Sequence, residues 1–447
     1  MSNLIASSRM IAVVGTGVSG LSTARFLREQ NMPFVLFDTR ENPPAQDAIA
    51  AEFPDVHCEF GVWDEGLLQS ADEIVLSPGL PLSMTAIATA HDLGVPVVGD
   101  IELFVRHANA PIIAITGSNG KSTVTTLVGE MAKAAGIDVA VGGNLGTPAL
   151  DLLAQNAQLY VLELSSFQLE TVTKLGADVA CILNISADHL DRYDGMPAYH
   201  RAKQRIYYGA KHVVVNRTDP LTQPPLADDV LRTSFGGGAD FKNMGLREQE
   251  GKSWLCDGIT ALVPASALKL PGRHNIDNAL AALAIGKAAG FPVDVMLSVL
   301  TSFSGLAHRC EWVADVAGVS YYNDSKGTNV GATLAAVNGL AREDGKLVVI
   351  LGGVAKDQTF AALLPALKTH ARSCVLIGQD AQLIASLLDG EVSYQYADSM
   401  AQAVAQAQAV AAVGDGVLLS PACASFDMFS DYQARGDAFR QAVGGLQ

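Results

Sequence analysis

The stretch "IIAITGSNGKSTVTTLV", residues 112–128, joins an apolar run to a glycine-rich turn and a helix-forming segment. Glycines in "GSNGKS" (117–122) let backbone N–H groups face phosphate oxygens, Lys121 reaches the β- and γ-phosphates, and Ser122 supplies a hydroxyl for Mg2+. The spacing departs from the common pattern, because Ile115 stands where a first glycine is expected. A glycine turn with a surface lysine is the alternative. The flanking strand and helix favour a triphosphate site.

A second glycine loop lies about a hundred residues earlier, in "IAVVGTGVSG" (11–20). Its Gly-x-Gly-x-x-Gly pattern follows a predicted strand, opens a helix, and is followed by Asp38 at the end of the next strand. This context is typical of NAD or FAD binding. A Rossmann-like unit that holds another phosphate at its helix N-terminus is the alternative. Thr39 and Arg40 beside Asp38 favour that alternative, so the two loops predict two ligands.

Composition limits the classes of function. The chain has 447 residues, which at about 150 per domain predicts three domains. A net charge of −16 disfavours nucleic acid and anionic membranes as partners. Six scattered cysteines without a C-x-x-C pair predict reduced thiols and argue against a zinc site. We find no signal-peptide core and no apolar run of ~18 residues, so we expect a cytoplasmic protein without membrane insertion.

Strand–glycine–helix units recur at 10–17, 111–120 and 346–356, one in each third of the chain. Continuous apolar strands that alternate with helical segments predict an α/β fold with parallel sheets. We expect a Rossmann-like domain over 1–100, a central P-loop-type ATPase domain over 101–306, and a Rossmann-like C-terminal domain over 307–447.

Several elements inside these domains are also predicted. Residues 231–263 are short, β-prone and turn-rich, which predicts a small antiparallel patch on the parallel core of the central domain. Helices are expected over 275–290 and 398–414, the second with Asp398 or Ser399 as its N-cap.

Local sequence leaves several charged positions open. Glu163 ends a predicted strand, His189 follows another, and Lys203 lies in "RAKQR". Taken singly, they fit a solvated carboxylate, a structural or surface histidine, and a surface lysine. Arg309 and Lys326 likewise fit solvated loop charges, and Asn275 is a good helix cap.

The sequence resembles the Mur ligases, which are ATP-dependent amide-forming enzymes of peptidoglycan synthesis. Motifs similar to those of the family occur in the same order along essentially the whole chain. The loop "TGSNGKST" resembles the family's loop, including the missing first glycine. Other matching motifs are "GGNLGTP" (142–148), "LELSSFQLE" (162–170), "NISADHLDRY" (184–193), "YHRAKQRIY" (199–207), "LPGRHNIDNALAA" (270–282), "HRCEWV" (308–313), "NDSKGTN" (323–329) and "LLSPACASFD" (418–427). "LELSSFQLE", "DTR" (38–40) and "SPACASFD" are most similar to the members that add D-glutamate.

The resemblance implies a reaction and its partners. ATP would phosphorylate the terminal carboxylate of UDP-N-acetylmuramoyl-L-alanine, and the amine of D-glutamate would attack the acyl phosphate to give amide, ADP and phosphate. Two Mg2+ ions and a CO2-derived carbamate on Lys203 are implied, since carbamylation turns a cation into a metal-binding anion. We expect a monomer whose third domain swings toward the second, because the ATP and D-glutamate motifs are split between them.

The resemblance also implies five overlapping sets of site residues. The catalytic set is Lys121, Glu163, His189, Lys203 and Lys326. The ATP set is Gly117, Ser118, Asn119, Gly120, Lys121, Ser122, Thr123, Asn275, Asn278, Arg309 and Asp324. The UDP-substrate set is Thr16, Val18, Asp38, Thr39, Arg40, Ser77, Asn144 and His189. The D-glutamate set is Thr328, Lys356, Ser425, Phe426 and Tyr432, and the metal set is Ser122, Glu163, His189 and Lys203 as carbamate.

Two departures from the family pattern concern the D-glutamate pocket. Tyr432 stands where an aromatic Phe is expected, and Phe429 lies close enough in sequence to be the alternative. Phe426 stands where a Leu is usual.

Three rival interpretations remain at this stage. An NAD-dependent oxidoreductase would account for residues 15–20 and Asp38, but it leaves "GSNGKST" and the third domain unexplained. Another ligase of this fold, such as a folylpolyglutamate synthase or an L-alanine-adding enzyme, differs only in its substrates. A non-catalytic nucleotide-binding module is disfavoured by the combination of Lys121, Glu163 and Lys203.

Overall fold

The computed structural model describes residues 9–190, 192–225, 230–269, 272–341, 345–355 and 358–446. They form three separate sheets, and each sheet contains one of the three strand–glycine units seen in the sequence. The intervals 99–111 and 265–310 separate the strands of successive sheets, and the limits expected near 100 and 306 fall inside them. Within the described ranges, no helix has the length and apolar character that a membrane crossing requires.

The first sheet has five parallel strands in the order β3-β2-β1-β4-β5. Its strands are β1 Ile11–Val14, β2 Phe34–Asp38, β3 Cys58–Phe60, β4 Glu73–Leu76 and β5 Val97–Val98. Its helices are α1 Val18–Glu29, α2 Gln46–Glu52, α3 Glu65–Gln69, α4 Thr85–Asp92 and α5 Asp100–His107. From β1 the chain adds β2 and β3 on one side of the sheet and then β4 and β5 on the other. This reversal of direction opens a crevice at the carboxyl ends of β1 and β4.

The second sheet has nine strands in the order β14-β13-β12-β11-β10-β9-β6-β8-β7. Its strands are β6 Ile112–Thr116, β7 Val139–Gly143, β8 Leu159–Glu163, β9 Val179–Ile182, β10 His212–Asn216, β11 Leu231–Phe235, β12 Met244–Gln249, β13 Lys252–Asp257 and β14 Thr260–Pro264. Its helices are α6 Lys121–Ala134, α7 Ala149–Leu152, α8 Ser166–Glu170, α9 Gly195–Gln204, α10 Arg273–Ala288 and α11 Val293–Ser302.

The antiparallel patch is confirmed for β12–β14 but not for its first strand. β11 runs parallel to β10, and it meets β12 in parallel at Phe235 and Met244. Residues 217–230 connect β10 to β11, which is long enough for the crossover that parallel strands need and too long for a tight hairpin. The short turns after Gln249 and Asp257 instead produce the two antiparallel pairs.

The third sheet has six strands in the order β15-β16-β20-β17-β18-β19, parallel except for the β15–β16 pair. Its strands are β15 Glu311–Val316, β16 Val319–Asn323, β17 Leu347–Gly352, β18 Ala371–Ile377, β19 Tyr394–Tyr396 and β20 Gly416–Leu419. Its helices are α12 Val330–Gly339, α13 Leu364–His370, α14 Ala381–Leu388, α15 Met400–Val410 and α16 Tyr432–Gly444.

Two predicted helix caps are decided by hydrogen bonds. Ser399 caps α15, since its Oγ accepts from the N–H of Gln402 at 3.2 Å. Asn275 does not cap α10, because Gly272 holds that position with φ +96° and Asn275 lies in the first helical turn. The prediction of Asn275 as a cap is therefore wrong.

The first and second domains share one hydrophobic core. Ile101 and Phe104 of α5 are fully buried, and Phe104 packs edge-on against Tyr160 of β8 with ring centroids 5.0 Å apart. The same apolar cluster continues into β1 and β2 on one side and β6 and β9 on the other. The two ligand-binding edges of these domains are thus held in a fixed relation by burial.

Candidate active site

The phosphate loop connects β6 to α6 in a conformation that requires glycine. Gly120 adopts φ +80°, in the left-handed region that other residues avoid. A Cβ at Gly120 would also lie 2.3 Å from Oδ1 of Asn278, so the loop and α10 approach each other closely. The N–H groups of Ser118 and Asn119 donate to Asn184 at 2.9 Å each, so the backbone N–H groups at the start of α6 are the ones suited to meet a phosphate.

Lys121 folds back over this loop. Its Nζ donates to the carbonyl oxygens of Gly117 at 2.9 Å and Ser118 at 3.0 Å. Burial lowers the pKa of Lys121, while the carboxylates of Glu163 and Asp188 oppose that shift. The ammonium group lines the same cleft as Glu163, where it would meet a phosphate.

Glu163 is locked at the end of β8. Its Oε2 accepts from Ser122 Oγ at 2.5 Å and its Oε1 accepts from Asn144 Nδ2 at 2.6 Å. The residue is only 2% exposed, so its interpretation as a solvated strand-end carboxylate is wrong. Ser122 and Glu163 together present adjacent hard oxygen atoms, which are the ligands that Mg2+ prefers.

Lys203 lies beneath the phosphate loop. Its Nζ donates to Gly117 O at 3.0 Å and to Thr116 Oγ1 at 3.3 Å, and it lies 4.8 Å from the ring centroid of Tyr199. Burial, followed by the nearby charge of Lys121, holds the pKa of Lys203 well below its ordinary value. The residue is 1% exposed, so the surface-lysine interpretation is wrong.

His189 has a local geometry set by its preceding acid. The backbone adopts φ +53°, and Asp188 Oδ1 accepts from the N–H of His189 at 3.0 Å. The imidazole packs edge-on against Phe167, with ring centroids 4.7 Å apart. Asp188 Oδ2 in turn accepts from Asn329 Nδ2 of the third domain at 3.0 Å.

The third domain supplies charged groups to the same cleft. Arg309 Nη2 donates to Ser122 Oγ at 2.6 Å, across the domain boundary. Asp324 Oδ2 accepts from Ser420 Oγ at 2.7 Å, and its Oδ1 accepts from the N–H of Cys310 at 3.1 Å. Burial raises the pKa of Asp324 to about 6, against the opposing effect of these hydrogen bonds. Lys326 Nζ lies 4.0 Å from the centroid of the Tyr432 ring.

These groups surround a cleft of about 640 Å³ between the second and third domains. On its α10 side, Asn278 Nδ2 donates to Asn275 Oδ1 at 3.2 Å. The structure brings most of the predicted ATP and catalytic residues to its walls: Ser118, Asn119, Gly120, Lys121, Thr123, Asn144, Glu163, His189, Lys203, Asn275, Asn278, Arg309, Asp324, Lys326 and Thr328.

The predicted D-glutamate residues are less closely grouped. Thr328 lines the cleft. Ser425 is buried and Phe426 is 73% exposed, and neither of them is among the residues that line the cleft. Lys356 lies outside the described residues. Phe429 packs against the apolar core of the third domain, while Tyr432 contacts Lys326, so Tyr432 is the aromatic residue nearer the cleft.

A second cleft, of about 650 Å³, occupies the crevice of the first domain. The predicted residues that line it are Val18, Asp38, Thr39, Arg40, Ser77 and Asn144. Ser77 Oγ donates to Gly15 O at 2.8 Å, and a Cβ at Gly20 would lie 1.8 Å from that same carbonyl oxygen. Close backbone approach therefore explains the glycine pattern here.

The carboxylate oxygens of Asp38 are already fully hydrogen-bonded within the protein. Arg40 donates from Nε and Nη2 at 2.8 Å each, and Thr16 donates from its N–H at 2.8 Å and its hydroxyl at 2.7 Å. Burial raises the pKa of Asp38, but these hydrogen bonds outweigh it and hold the pKa well below its usual range. The carboxylate thus positions Thr16 and Arg40, and the ribose contact expected of a dinucleotide site has no free oxygen here.

Asn144 lines both clefts, so the two cavities meet at its side chain. Among the residues described, no three His, Cys, Asp or Glu side chains converge as a ready-made metal site. All six cysteines are free, and the five other than Cys58 are buried. Phosphate oxygens of a bound nucleotide would have to complete any Mg2+ shell built on Ser122 and Glu163.

Several residues at the site escaped the sequence-based prediction. Asp188, Tyr199 and Thr116 each contact a predicted residue directly, and Asn329 reaches the site through its hydrogen bond to Asp188. Asp188 had a usable signal, since an acid immediately before a histidine is a natural partner. Tyr199 had one as well, because it lies four residues before Lys203 on α9. Thr116 and Asn329 become partners only through long-range folding.

Comparison with known proteins places these features in a family. Residues 9–99 match the N-terminal domain described as Mur ligase MurD-like, residues 115–286 match the Mur ligase middle domain, and residues 308–423 match the Mur ligase glutamate ligase domain. The chain belongs to the Mur ligase family, which confirms the resemblance seen in its motifs.

Particular relatives are similar over their full length. UDP-N-acetylmuramoylalanine–D-glutamate ligase of Pseudomonas aeruginosa is 54% identical over 443 residues, covering 99% of each chain. The enzyme of that name from Acinetobacter baylyi is 51% identical over 449 residues, covering 99% of this chain and 100% of its own.

Solved structures agree at the level of the fold. UDP-N-acetylmuramate-alanine ligase MurC from Thermotoga maritima superposes with a TM-score of 0.61 at 19% identity, over 98% of this chain and 100% of that one. MurF from Acinetobacter baumannii gives a TM-score of 0.61 at 18% identity, over 98% and 93%. The predicted three-domain α/β architecture is thereby confirmed.

Proposed function

We propose that the protein is an ATP-dependent ligase that joins D-glutamate to UDP-N-acetylmuramoyl-L-alanine in peptidoglycan synthesis, and so serves cell-wall biogenesis, cell shape and division. Full-length relatives at 51–54% identity carry that name. The observation that carries the proposal is that two clefts meet at Asn144. One long substrate can have its nucleotide in the first domain and its carboxylate beside the phosphate loop.

The first cleft would hold the UDP portion. Thr16, Val18, Asp38, Thr39, Arg40 and Ser77 are the residues proposed for it. Arg40 is half exposed and already oriented by Asp38, so its guanidinium is positioned to meet an anionic ligand. Asn144 and His189 would guide the rest of the substrate toward the second cleft.

The second cleft would hold ATP and stabilise phosphoryl transfer. Residues 117–123 offer backbone N–H groups and Lys121, while Asn275 and Asn278 would contact the base. Arg309 and Asp324 would contact phosphate and ribose from the third domain. Transfer to the carboxylate of the substrate requires positive charge to offset two anions, and Lys121 and Arg309 would provide it.

The side of the cleft formed by the phosphate loop, β8 and α9 is the proposed site for Mg2+ and a carbamate. We propose Ser122, Glu163, His189 and carbamylated Lys203 as the residues that hold two Mg2+ ions, whose chemistry is to neutralise developing phosphate charge. A lysine with a lowered pKa has a neutral amine available for CO2 addition. The resulting anion would lie near Thr116 Oγ1 and close to the cation of Lys121.

D-glutamate would bind on the third-domain side. Thr328, Lys356, Ser425, Phe426 and Tyr432 are proposed for it, with Lys326 stabilising the acyl phosphate that the amine attacks. Contacts from both domains favour closure of the third domain onto the second during turnover. We further propose a cytoplasmic monomer with domain limits near residues 100 and 306.

The test is phosphate release from ATP with Mg2+, bicarbonate and UDP-N-acetylmuramoyl-L-alanine. D-glutamate should trigger release, and the product should be heavier by one glutamate residue. L-glutamate in place of D-glutamate, and UDP-N-acetylmuramate with L-alanine, serve as controls that separate other ligases of this fold. Release with either control and none with D-glutamate would contradict the proposal.

The proposed carbamate on Lys203 is tested separately, by replacing this lysine with a neutral or an acidic residue. Lys203→Ala should reduce turnover by about 10²-fold or more, whereas Lys203→Glu should recover part of the loss because it restores an anion. Lys211→Ala is the matched control, since Lys211 is an exposed lysine paired with Asp178. Equal activity of the Ala and Glu variants would argue against the carbamate.

A further inference from the structure

Arg192 joins the first and second domains at the edge of the proposed UDP cleft. Its Nη1 donates to Pro78 O at 2.7 Å and its Nη2 donates to Leu80 O at 2.9 Å. Both carbonyls belong to the loop that follows β4, and residues 77–80 of that loop line the cleft. A side chain of the second domain thus fixes the backbone of a ligand-binding loop in the first.

The second domain holds the guanidinium group in place from two further directions. Nη2 also donates to Glu170 Oε2 at 3.2 Å, and the guanidinium carbon lies 4.2 Å from the centroid of the Phe167 ring. The side chain of Arg192 is only 15% exposed. Since guanidinium is planar with several fixed donors, this combination of two carbonyls, a carboxylate and a ring face suits arginine and does not suit lysine.

Arg192 is also tied to His189 in the other cleft. The N–H of Arg192 donates to His189 O at 3.0 Å, which closes a turn between the two residues. Phe167, which stacks with Arg192, also packs edge-on against the His189 ring. The loop at 77–80 is therefore connected to His189 through Arg192 and the ring of Phe167.

We infer that Arg192 is a positioning residue that sets the distance between the nucleotide-binding loop at 77–80 and His189. This inference deepens the proposed function and rests on it. The substrate must span both clefts, so its nucleotide and its carboxylate reach their positions together only when those two sites keep a fixed separation. Small misplacements of this kind are costly, because about 1 Å can reduce a rate by about 10²-fold.

Arg205 offers a matched control within the same fold. It donates to Leu169 O at 2.8 Å and Val172 O at 2.6 Å, and its guanidinium carbon lies 5.8 Å from the Tyr208 ring centroid. The chemistry is the same as at Arg192, but every partner belongs to the second domain. Arg205→Lys therefore reports the structural cost of losing such contacts without touching the link to the first domain.

The experiment compares Arg192→Lys, Arg192→Ala and Arg205→Lys in the full-length enzyme. Arg192→Lys should raise KM for UDP-N-acetylmuramoyl-L-alanine by about tenfold or more, since charged hydrogen bonds of this type are lost. KM for ATP should stay within about twofold, and Arg192→Ala should show the larger change of the two. Deuterium uptake at residues 77–84 should speed up in both Arg192 variants and not in Arg205→Lys.

Two results would overturn the inference: unchanged KM and unchanged exchange in Arg192→Lys, or the same KM increase in Arg205→Lys. Exchange at 77–84 is read without turnover. If the parent enzyme failed to use the UDP substrate, the proposed function would fail on that observation alone, while the exchange data would still decide whether Arg192 holds the loop.

Discussion

The loop at residues 15–20 and the loop at residues 117–122 both join a buried parallel strand to a helix. The residues that contact the two loops, however, come from different parts of the molecule. In the first, Asp38 is held by Thr16 and Arg40, all within the first domain. In the second, Ser122 contacts Glu163 from a neighbouring strand and Arg309 from another domain. The contacts of Asp38 stay within the first domain, whereas those of Ser122 cross a domain boundary.

This difference matches the chemistry proposed for each loop. The cradle proposed for the UDP group is built mainly from contacts inside the first domain, with Arg192 of the second domain holding the loop at 77–80. Phosphoryl transfer requires dense, desolvated charge, which is costly unless opposite charges surround it. Bringing Arg309 in from the third domain allows that charge to be assembled only when the cleft is closed.

The largest effect is expected at the phosphate loop. Lys121→Ala should lower kcat/KM by about 10³-fold, because it removes the buried cation nearest the proposed phosphates. Lys133→Ala, an exposed lysine in the last turn of the same helix, is the control and should leave steady-state kinetics unchanged. A Lys121→Ala enzyme that kept more than about a tenth of the activity would remove the central distinction between the loops.

Removing the contribution of the third domain should have the next largest effect. Arg309→Ala should reduce kcat by about 10²-fold and raise KM for ATP, since the contact to Ser122 is lost. Calorimetric affinity for the UDP substrate should not change. Arg25→Ala, which breaks an exposed ion pair with Glu52, is the control. A fall in UDP-substrate affinity equal to the fall in kcat would show that the two clefts are not separable.

A smaller, purely binding effect is expected in the first cleft. Arg40→Ala should raise KM for the UDP substrate by about tenfold with little change in kcat, because its contacts are made equally before and during the reaction. Arg28→Ala removes an exposed arginine of the same domain and should behave like the parent. A large loss of kcat would place Arg40 in the chemistry and contradict the comparison.

The last effect concerns stability and leaves the comparison of activities aside, and it depends on pH. The folded pKa of Asp324 is about 6, above its ordinary value of 3.8, so the folded state keeps a proton that the unfolded state has released between these values. Stability of the parent therefore falls as pH rises through this interval, and Asp324→Asn should avoid that loss. The variant should gain about 3 kcal/mol relative to the parent at most.

Thermal melts of both proteins at pH 4.5 and pH 7 would measure this gain. Asp315→Asn, an exposed acid in the same domain, should follow the parent at both pH values. A gain that appeared on lowering the pH would reverse the sign and show that Asp324 is charged throughout.

Local sequence was sufficient for the strands, the glycine loops and the three-part organisation, because apolar runs and glycine spacing act over a few residues. It was insufficient for Glu163 and Lys203, whose partners Asn144 and Thr116 lie 19 and 87 positions away, respectively. Family resemblance placed both residues in the site. It included Asn329 and Arg192 within matching motifs but assigned them no role, because their roles arise from contacts between domains.

The position of Asn144 at the junction of the two clefts has a consequence for inhibitor design. In a compound that joins a uridine mimic to a phosphate mimic, the short linker would lie beside the side-chain amide of Asn144. The second binding event would then be intramolecular, with an effective concentration of about millimolar, so two weak fragments could give one tight ligand. A linker that donates to Asn144 Oδ1 would leave the bond from Asn144 to Glu163 intact.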